Sequence, residues 1–254
     1  MFTMMKRVAV VNPQKPASPQ PTRRERTRAA TRAEILEAAR RLLIEGGTER
    51  VTLRGIAGEL GMTAPALYRY FDSREALVGE LCNQIYDELA DVLLAARDHD
   101  PRMPLKKRFL VTSHAFRNWA LEHRPEFGLL FGAPVPGVLV DTSNNDPETN
   151  RGARFGQVWL ELFVELSRTS PVAATDGADL DPRLRQHLAE YREQIGGVIP
   201  IGTIMVYLSC WIRLYGAVAI EAFGHVSFAL QGGAADAMFD SLMHELTAKL
   251  GLKH

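Results

Sequence analysis

The chain has 254 residues, 46% of them hydrophobic and 24% charged, which is ordinary for a soluble globular protein with room for one large or two modest domains. Its two cysteines, Cys82 and Cys210, lie far apart and make no metal-ligand spacing, which excludes a disulfide framework and fits a reducing cytoplasm. The net charge is zero but unevenly spread: residues 1–80 hold 14 Lys+Arg against 9 Asp+Glu, about +5, and the remainder holds 16 against 21, about −5. A basic N-terminal part on an acidic body suits a nucleic-acid-binding head.

Residues 1–22 carry Pro13, Pro16, Pro19 and Pro21 among polar residues and read as a disordered extension, with too little apolar surface to offset ordering entropy. The short apolar run VAVV is cut off by Asn12-Pro13, so no signal peptide is expected. The run TRRERTRAATR follows, with Arg23, Arg24, Arg26, Arg28 and Arg32. It reads as a flexible arm against phosphates, the alternative being a solvated basic run or part of a helix. The first firm helix is placed from Thr31, which forms a capping-box pair with Glu34, to Gly46-Gly47, with Ile35, Ala39 and Leu42 on one face.

The next stretch organises the chain: TLRGIAGELGMTAPALYRYFDSREA, Thr52 to Ala76. Leu53, Ile56, Ala57 and Leu60 recur at helical spacing behind Thr52, an N-cap residue type, and Gly61 is the stop. Thr63 opens a second short helix with Pro65 in its first turn, where the missing N–H costs nothing. Asp72-Ser73 ends it and caps a third. Two short helices joined by a glycine turn describe a helix-turn-helix, whose second helix presents its N-terminal residues to the DNA major groove. If Leu67 and Phe71 face the core, Thr63, Ala64, Tyr68, Arg69 and Tyr70 are left outward, and tyrosines beside an arginine suit phosphate and base contacts.

These residues resemble the DNA-binding domain of the tetracycline-repressor (TetR) family of bacterial transcription regulators. The matching strings are AEILEAARRLLIEGG and VTLRGIAGELGMTAPALYRYFDSREALVGEL, and LYRYF before a break and EAL is the specific part. The resemblance implies an all-α protein: a helix-turn-helix domain at 23–80 and a helical ligand-binding and dimerisation domain at 81–254. It implies double-stranded DNA, a small-molecule effector and a second copy of the chain as partners, with no membrane partner and no cofactor. Thr63, Ala64, Pro65, Tyr68 and Arg69 would face bases, with Arg69 on a guanine, while Thr52, Arg54, Tyr70 and Arg74 would hold phosphates.

A long helix is expected from about Ser73 to His99, with Leu77, Leu81, Ile85, Leu89 and Val92 as its stripe. Further helices follow at about 104–123, 125–131, 152–169, 182–196, 201–224 and 234–250, with a long loop at 132–150. The aromatic residues Phe109, Phe116, Trp119, Phe127, Phe131, Trp159, Phe163, Trp211 and Tyr215, with His123, are candidates to line an apolar effector pocket between helices; the plainer reading is core filling. His114 and His225 are further candidate polar groups. HRPEFGLLFGAPVPG and WIRLYGAVAIEAFGH resemble a TetR subgroup with a WHG-type C-terminal domain. In that family, two wide apolar stripes, Leu208, Ile212, Tyr215, Ala219 and Phe223 on one helix and Met238, Leu242, Leu246 and Leu250 on the next, form a four-helix subunit interface. The apolar run 198–223 is interrupted by Arg213 and Glu221, leaving about 15 residues, short of a spanning helix. No nucleophile elbow, phosphate loop, helical metal pair or two-cysteine cluster occurs, and no two histidines stand at i, i+3 or i+4, so an all-α enzyme and an interaction module without DNA binding are the lesser readings.

Overall fold

The computed structural model describes residues 22–138, 146–170 and 177–252. The expected disorder of 1–22 falls almost wholly outside them, as do parts of the two long loops. Among the described residues the fold is all-helical. Its elements are α1 (Arg23–Gly46), α2 (Leu53–Glu59), α3 (Ala64–Tyr68), α4 (Arg74–Arg97), α5 (Leu105–Glu122), α6 (Arg124–Phe131), α7 (Arg151–Thr169), α8 (Pro182–Gln194), α9 (Ile201–Ala222) and α10 (Ala234–Lys249). A single 3₁₀ turn, Thr48–Arg50, stands between α1 and α2.

α1 begins eight residues before the expected start. The sequence holds the T-x-x-E signature twice, at 22–25 and 31–34. The first is the cap: Thr22 Oγ1 accepts from Glu25 N at 3.2 Å, and the Glu25 carboxylate accepts from Thr22 N at 2.7 Å. These bonds hold the Glu25 carboxyl below its usual range. Thr31 instead donates its hydroxyl to Thr27 O at 3.2 Å, as a residue inside a helix does. No glycine or proline lies between the two signatures, so nothing stops the helix from running through both. The basic run is therefore two turns of exposed helix, not a flexible arm. α1 closes on Gly47, whose φ of 74° is the left-handed conformation that glycine adopts without a steric penalty.

α4 is the spine. Leu77, Leu81, Ile85, Leu89 and Leu93 are all 0% exposed. At about 1.5–3 kcal/mol each, burial of these side chains is a large gross term for one helix. Val92, expected in this stripe, is 41% exposed; the run of fours from Leu81 reaches Leu93 instead. The core around α4 is one continuous cluster that draws on α1 to α7, α9 and α10. A boundary at 80/81 falls inside the unbroken α4 rather than in a linker.

Ion pairs lock α4 to its neighbours. Arg154 on α7 meets Asp87 at 3.1 Å and Asp91 at 2.5 Å. Arg97, at the end of α4, donates to Val158 O at 3.0 Å and pairs with Glu161 at 2.6 Å. On the other side Arg40 of α1 donates Nε to Glu126 on α6 at 3.1 Å and Nη1 to Glu88 on α4 at 2.7 Å. Burial disfavours the Arg40 charge, but the two carboxylates outweigh it and its pKa stays raised. This residue ties the first helix to the body.

Candidate nucleic-acid interface and the cavity of the body

α2 and α3 are both short, so their placement depends on caps and on the core beneath them. Thr52 Oγ1 accepts from Gly55 N at 3.0 Å and starts α2. The turn needs Gly61: its φ is 62°, a side chain there would be strained, and Met62 N closes the motif on Ala57 O at 2.8 Å. Thr63 then precedes α3, with Pro65 in its first turn and no side-chain cap bond from Thr63. Ile56 and Leu67 (0% exposed) and Phe71 (3%) anchor the pair to α1 and α4.

What remains outward is the set the spacing predicts. Thr63, Pro65, Tyr68 and Arg69 are exposed, and Ala64 and Tyr70 are half-buried. Thr52 and Arg54 are exposed at the start of α2. α3 extends one turn of α-helix, and the first turns of α1 lie beside it. Arg23, Arg24, Thr27 and Arg28 of α1 join Arg69 and Tyr70 around an open recess of about 460 Å³. Arg28 donates to Arg69 O at 3.2 Å and lies 5.9 Å from the Tyr70 ring. Arg32 donates to Tyr70 O at 2.7 Å and sits 4.2 Å over Phe71. Both brace the α3–α4 turn against α1, a role not foreseen for the basic run.

Arg74 is a correction. Its Nε donates to Val51 O and an Nη to Thr48 O, both at 2.7 Å, so its guanidinium turns inward to hold the α1–α2 connection. Its position two residues after Asp72 hid this, because the carbonyls it meets are more than 20 residues away.

In the body a void of about 40 Å³ lies between α5, α7, α9 and α10. Of the ten expected lining residues, Phe109, Trp159, Phe163 and Trp211 line it. Phe116, Phe127, Phe131 and Tyr215 do not: they form a continuous aromatic core beside it, with Phe116 5.7 Å from both Phe131 and Trp211, and the Tyr215 hydroxyl bonded to Phe131 O at 2.7 Å. Trp119 and His123 are elsewhere, stacked at 5.1 Å with His123 Nδ1 3.0 Å from Trp119 O. His114 faces Asp240 at 3.1 Å and His225 is exposed, so neither reaches the void. Sequence reasoning missed Ser113, Tyr207 and the α10 wall, Met243, Leu246 and Thr247. Only the packing of α10 on α5 brings that wall in.

The expected subunit stripes are also redrawn. Leu246 and Leu250 are buried within the protomer at 8% and 4% exposed, and Ala219 is buried too. The apolar side chains left open near the α9–α10 end are Ile212 (68%), Ile220, Phe223, Phe228 and Met238. Among the described residues α9 is the one helix long and apolar enough to cross a membrane. It carries the exposed Arg213, and its Glu221 accepts from Arg117 at 2.6 Å.

A glycine-turned pair of short helices, held by a long helix on an aromatic helical body, defines a helix-turn-helix protein with a head and a body. Comparison with known proteins agrees. Residues 35–81 match the family described as bacterial regulatory proteins, tetR family, and residues 109–246 match the tetracyclin repressor-like C-terminal domain. The HTH-type transcriptional regulator Rv1816 of Mycobacterium tuberculosis is 30% identical over 207 residues, 80% of this chain and 85% of that one. The crystal structure of regulatory protein SCO4313 superposes with a TM-score of 0.65 at 28% identity, over 89% of this chain and 100% of that one. A tetR-family transcriptional regulator from Streptomyces coelicolor shares the fold, with a TM-score of 0.51 at 18% identity over 87% of this chain and 80% of that one. The chain belongs to the TetR family, and it is a helix-turn-helix transcriptional regulator of the type that binds DNA.

Proposed function

We propose that the protein is a ligand-responsive repressor of the cytoplasm that binds an inverted-repeat operator as a homodimer. The observation that carries this reading is the outward face of α3 beside the basic recess: Thr63, Tyr68 and Arg69 with Arg23, Arg24 and Arg28. Thr63, Ala64, Pro65, Tyr68 and Arg69 enter the major groove, and the Arg69 fork matches the O6 and N7 of a guanine. Thr52, Arg54 and Tyr70, joined by the α1 arginines, hold phosphates and set the register. The open apolar residues of α9 and α10 favour a twofold interface over a membrane span, because Arg213 and the Arg117-bonded Glu221 would have no place in lipid. Such a dimer offers two reading helices about 34–36 Å apart.

Release follows from the spine. A small effector in the body that favours another setting of α4 or α6 moves α1 with it, because Arg40 joins all three helices. The effector must bind the non-DNA setting better than the DNA-bound one. The test is selection of duplexes from a random pool with purified protein at about 150 mM salt, since binding to phosphates is salt-dependent. An enriched inverted repeat is expected. An enriched site without symmetry would overturn the dimeric reading. No enrichment, from folded protein refolded free of ligand, would overturn DNA reading itself.

A further inference from the structure

Arg32 lies behind the short helix α3, and it gains a role of its own on the reading above that α3 presents side chains to bases. α3 is five residues long, about 7–8 Å at 1.5 Å per residue, and a helix of one turn does not hold itself in water. Thr63 before it makes no side-chain cap bond, and its last turn carries no basic residue. Tyr70 N and Phe71 N close onto Leu67 O at 2.9 and 3.2 Å. The carbonyls that follow, Arg69 O and Tyr70 O, are taken by guanidinium groups of α1. Arg28 donates to the first at 3.2 Å and Arg32 to the second at 2.7 Å. α1 thus supplies the cations that favour a helix C-terminus and that the last turn of α3 lacks. Both carbonyls belong to residues that meet DNA in the reading above.

The two arginines are held differently. Arg28 is exposed, and with Arg23, Arg24, Thr27, Arg69 and Tyr70 it faces the open recess. Arg32 is not on that wall. Its guanidinium stacks 4.2 Å over the ring of Phe71, itself 3% exposed, and an Nη reaches Glu80 of α4 at 3.4 Å. Contacts to the core and to α4 therefore fix the group that grips Tyr70 O. We propose that Arg32 is a positioning residue for sequence reading: it touches no DNA, and by holding the end of α3 it sets the depth and tilt at which Thr63, Tyr68 and Arg69 meet the bases. Base hydrogen bonds depend steeply on distance and angle, whereas attraction to phosphates is long-ranged, so a loosened α3 loses discrimination first. One bond from a charged donor is worth enough to shift two settings of α3 by roughly tenfold, and apparent affinity for the read sequence falls with the competent population.

The full-length protein and its Arg32→Met, Arg24→Gln and Arg74→Met variants are titrated at several salt concentrations with two duplexes. One is the duplex that the unaltered protein enriches most from the random pool; the other is a scrambled duplex of the same composition. Fluorescence anisotropy reads the affinities, and circular dichroism reads the folded fraction. Arg32→Met is expected to bind the enriched duplex roughly tenfold more weakly, with its affinity for the scrambled duplex and its salt slope unchanged. Arg24→Gln removes an exposed charge of the recess and is expected to weaken both duplexes alike and to lower the slope by about one. Arg74→Met also loses bonds to carbonyls inside the head, Val51 O and Thr48 O, yet is expected to keep its discrimination. Undiminished discrimination in Arg32→Met, a uniform loss with a shallower slope, or an equal loss of discrimination in Arg74→Met would each overturn the proposal. If Arg32→Met fails to fold, Arg32→Lys carries the test. It keeps the charge but not the planar fork that stacks on Phe71 while reaching Tyr70 O, so discrimination is expected to fall with the slope unchanged. An unaltered protein that prefers neither duplex would overturn DNA reading and this role together; discrimination that survives the loss of Arg32 would overturn this role alone.

Discussion

Replacing Arg40 by Met removes an ion-pairing side chain that ties α1 to both α4 and α6. The Glu126 side chain is 3% exposed and its Oε1 accepts from Arg40 Nε at 3.1 Å, so Arg40→Met leaves a carboxylate buried without its counter-charge. Removing one partner of a buried pair costs about 3–5 kcal/mol. Glu88 adds little, because its side chain is 37% exposed and solvent screens it; about 0.5 kcal/mol is a fair share. A total near 4 kcal/mol corresponds to roughly 8–16 °C in Tm for a domain of this size. The assay is urea unfolding followed by helical circular dichroism at one fixed protein concentration, since a dimer's stability depends on it. Glu126→Gln in the Arg40→Met background removes the stranded charge and should recover at least about 2 kcal/mol, a coupling that contact pairs show in double-mutant cycles. A loss under about 1 kcal/mol for Arg40→Met, or strictly additive losses for the two changes, would refute the reasoning.

Arg69→Ala should weaken binding by about 1–3 kcal/mol at one base position of the operator; a uniform loss over all sequences in a binding titration would make Arg69 a phosphate contact instead. Arg74→Met should destabilise the fold by about 2–3 kcal/mol through its two lost bonds to Thr48 O and Val51 O, seen in denaturant unfolding, while base preference measured on the folded protein stays the same. Burial pushes the thiols of Cys82 and Cys210 up to about 11 from an ordinary 9.0. The native protein at pH 8 therefore holds about 100-fold less thiolate than the unfolded chain, and iodoacetamide should label it correspondingly more slowly. Because these folded values lie above the unfolded one, the buried thiols contribute stability that is complete below pH 9 and is lost as pH rises toward 11. Equal labelling rates in the native and unfolded states would contradict this.

The local signals in the sequence carry far. The glycine at 61, the threonine cap at 52, the proline in the first turn of α3, and the apolar spacing of Ile56, Leu67 and Phe71 specify the helix-turn-helix, because caps, turns and helical periodicity act within a few residues. The body helices are legible on the same grounds, and α7 shows it in Phe155, Trp159, Leu162 and Leu166. Where two equal local signals compete, as in the paired T-x-x-E strings of α1, sequence alone offers no ranking, and the continuity of the helix favoured the earlier one. Arg74 looks like any exposed basic residue until the Thr48 and Val51 carbonyls are brought to it from the other side of the head. Arg40 is a polar residue at the edge of an amphipathic helix until α6 delivers Glu126, 86 residues away. The aromatic residues of the body could not be sorted by sequence into core and cavity wall, because which face of each helix meets a neighbour and which meets a gap depends on how α10 seats against α5. Caps and periodicity are short-range and written in the chain; counter-charges and cavity walls come from residues far apart in sequence, and only the tertiary structure decides them.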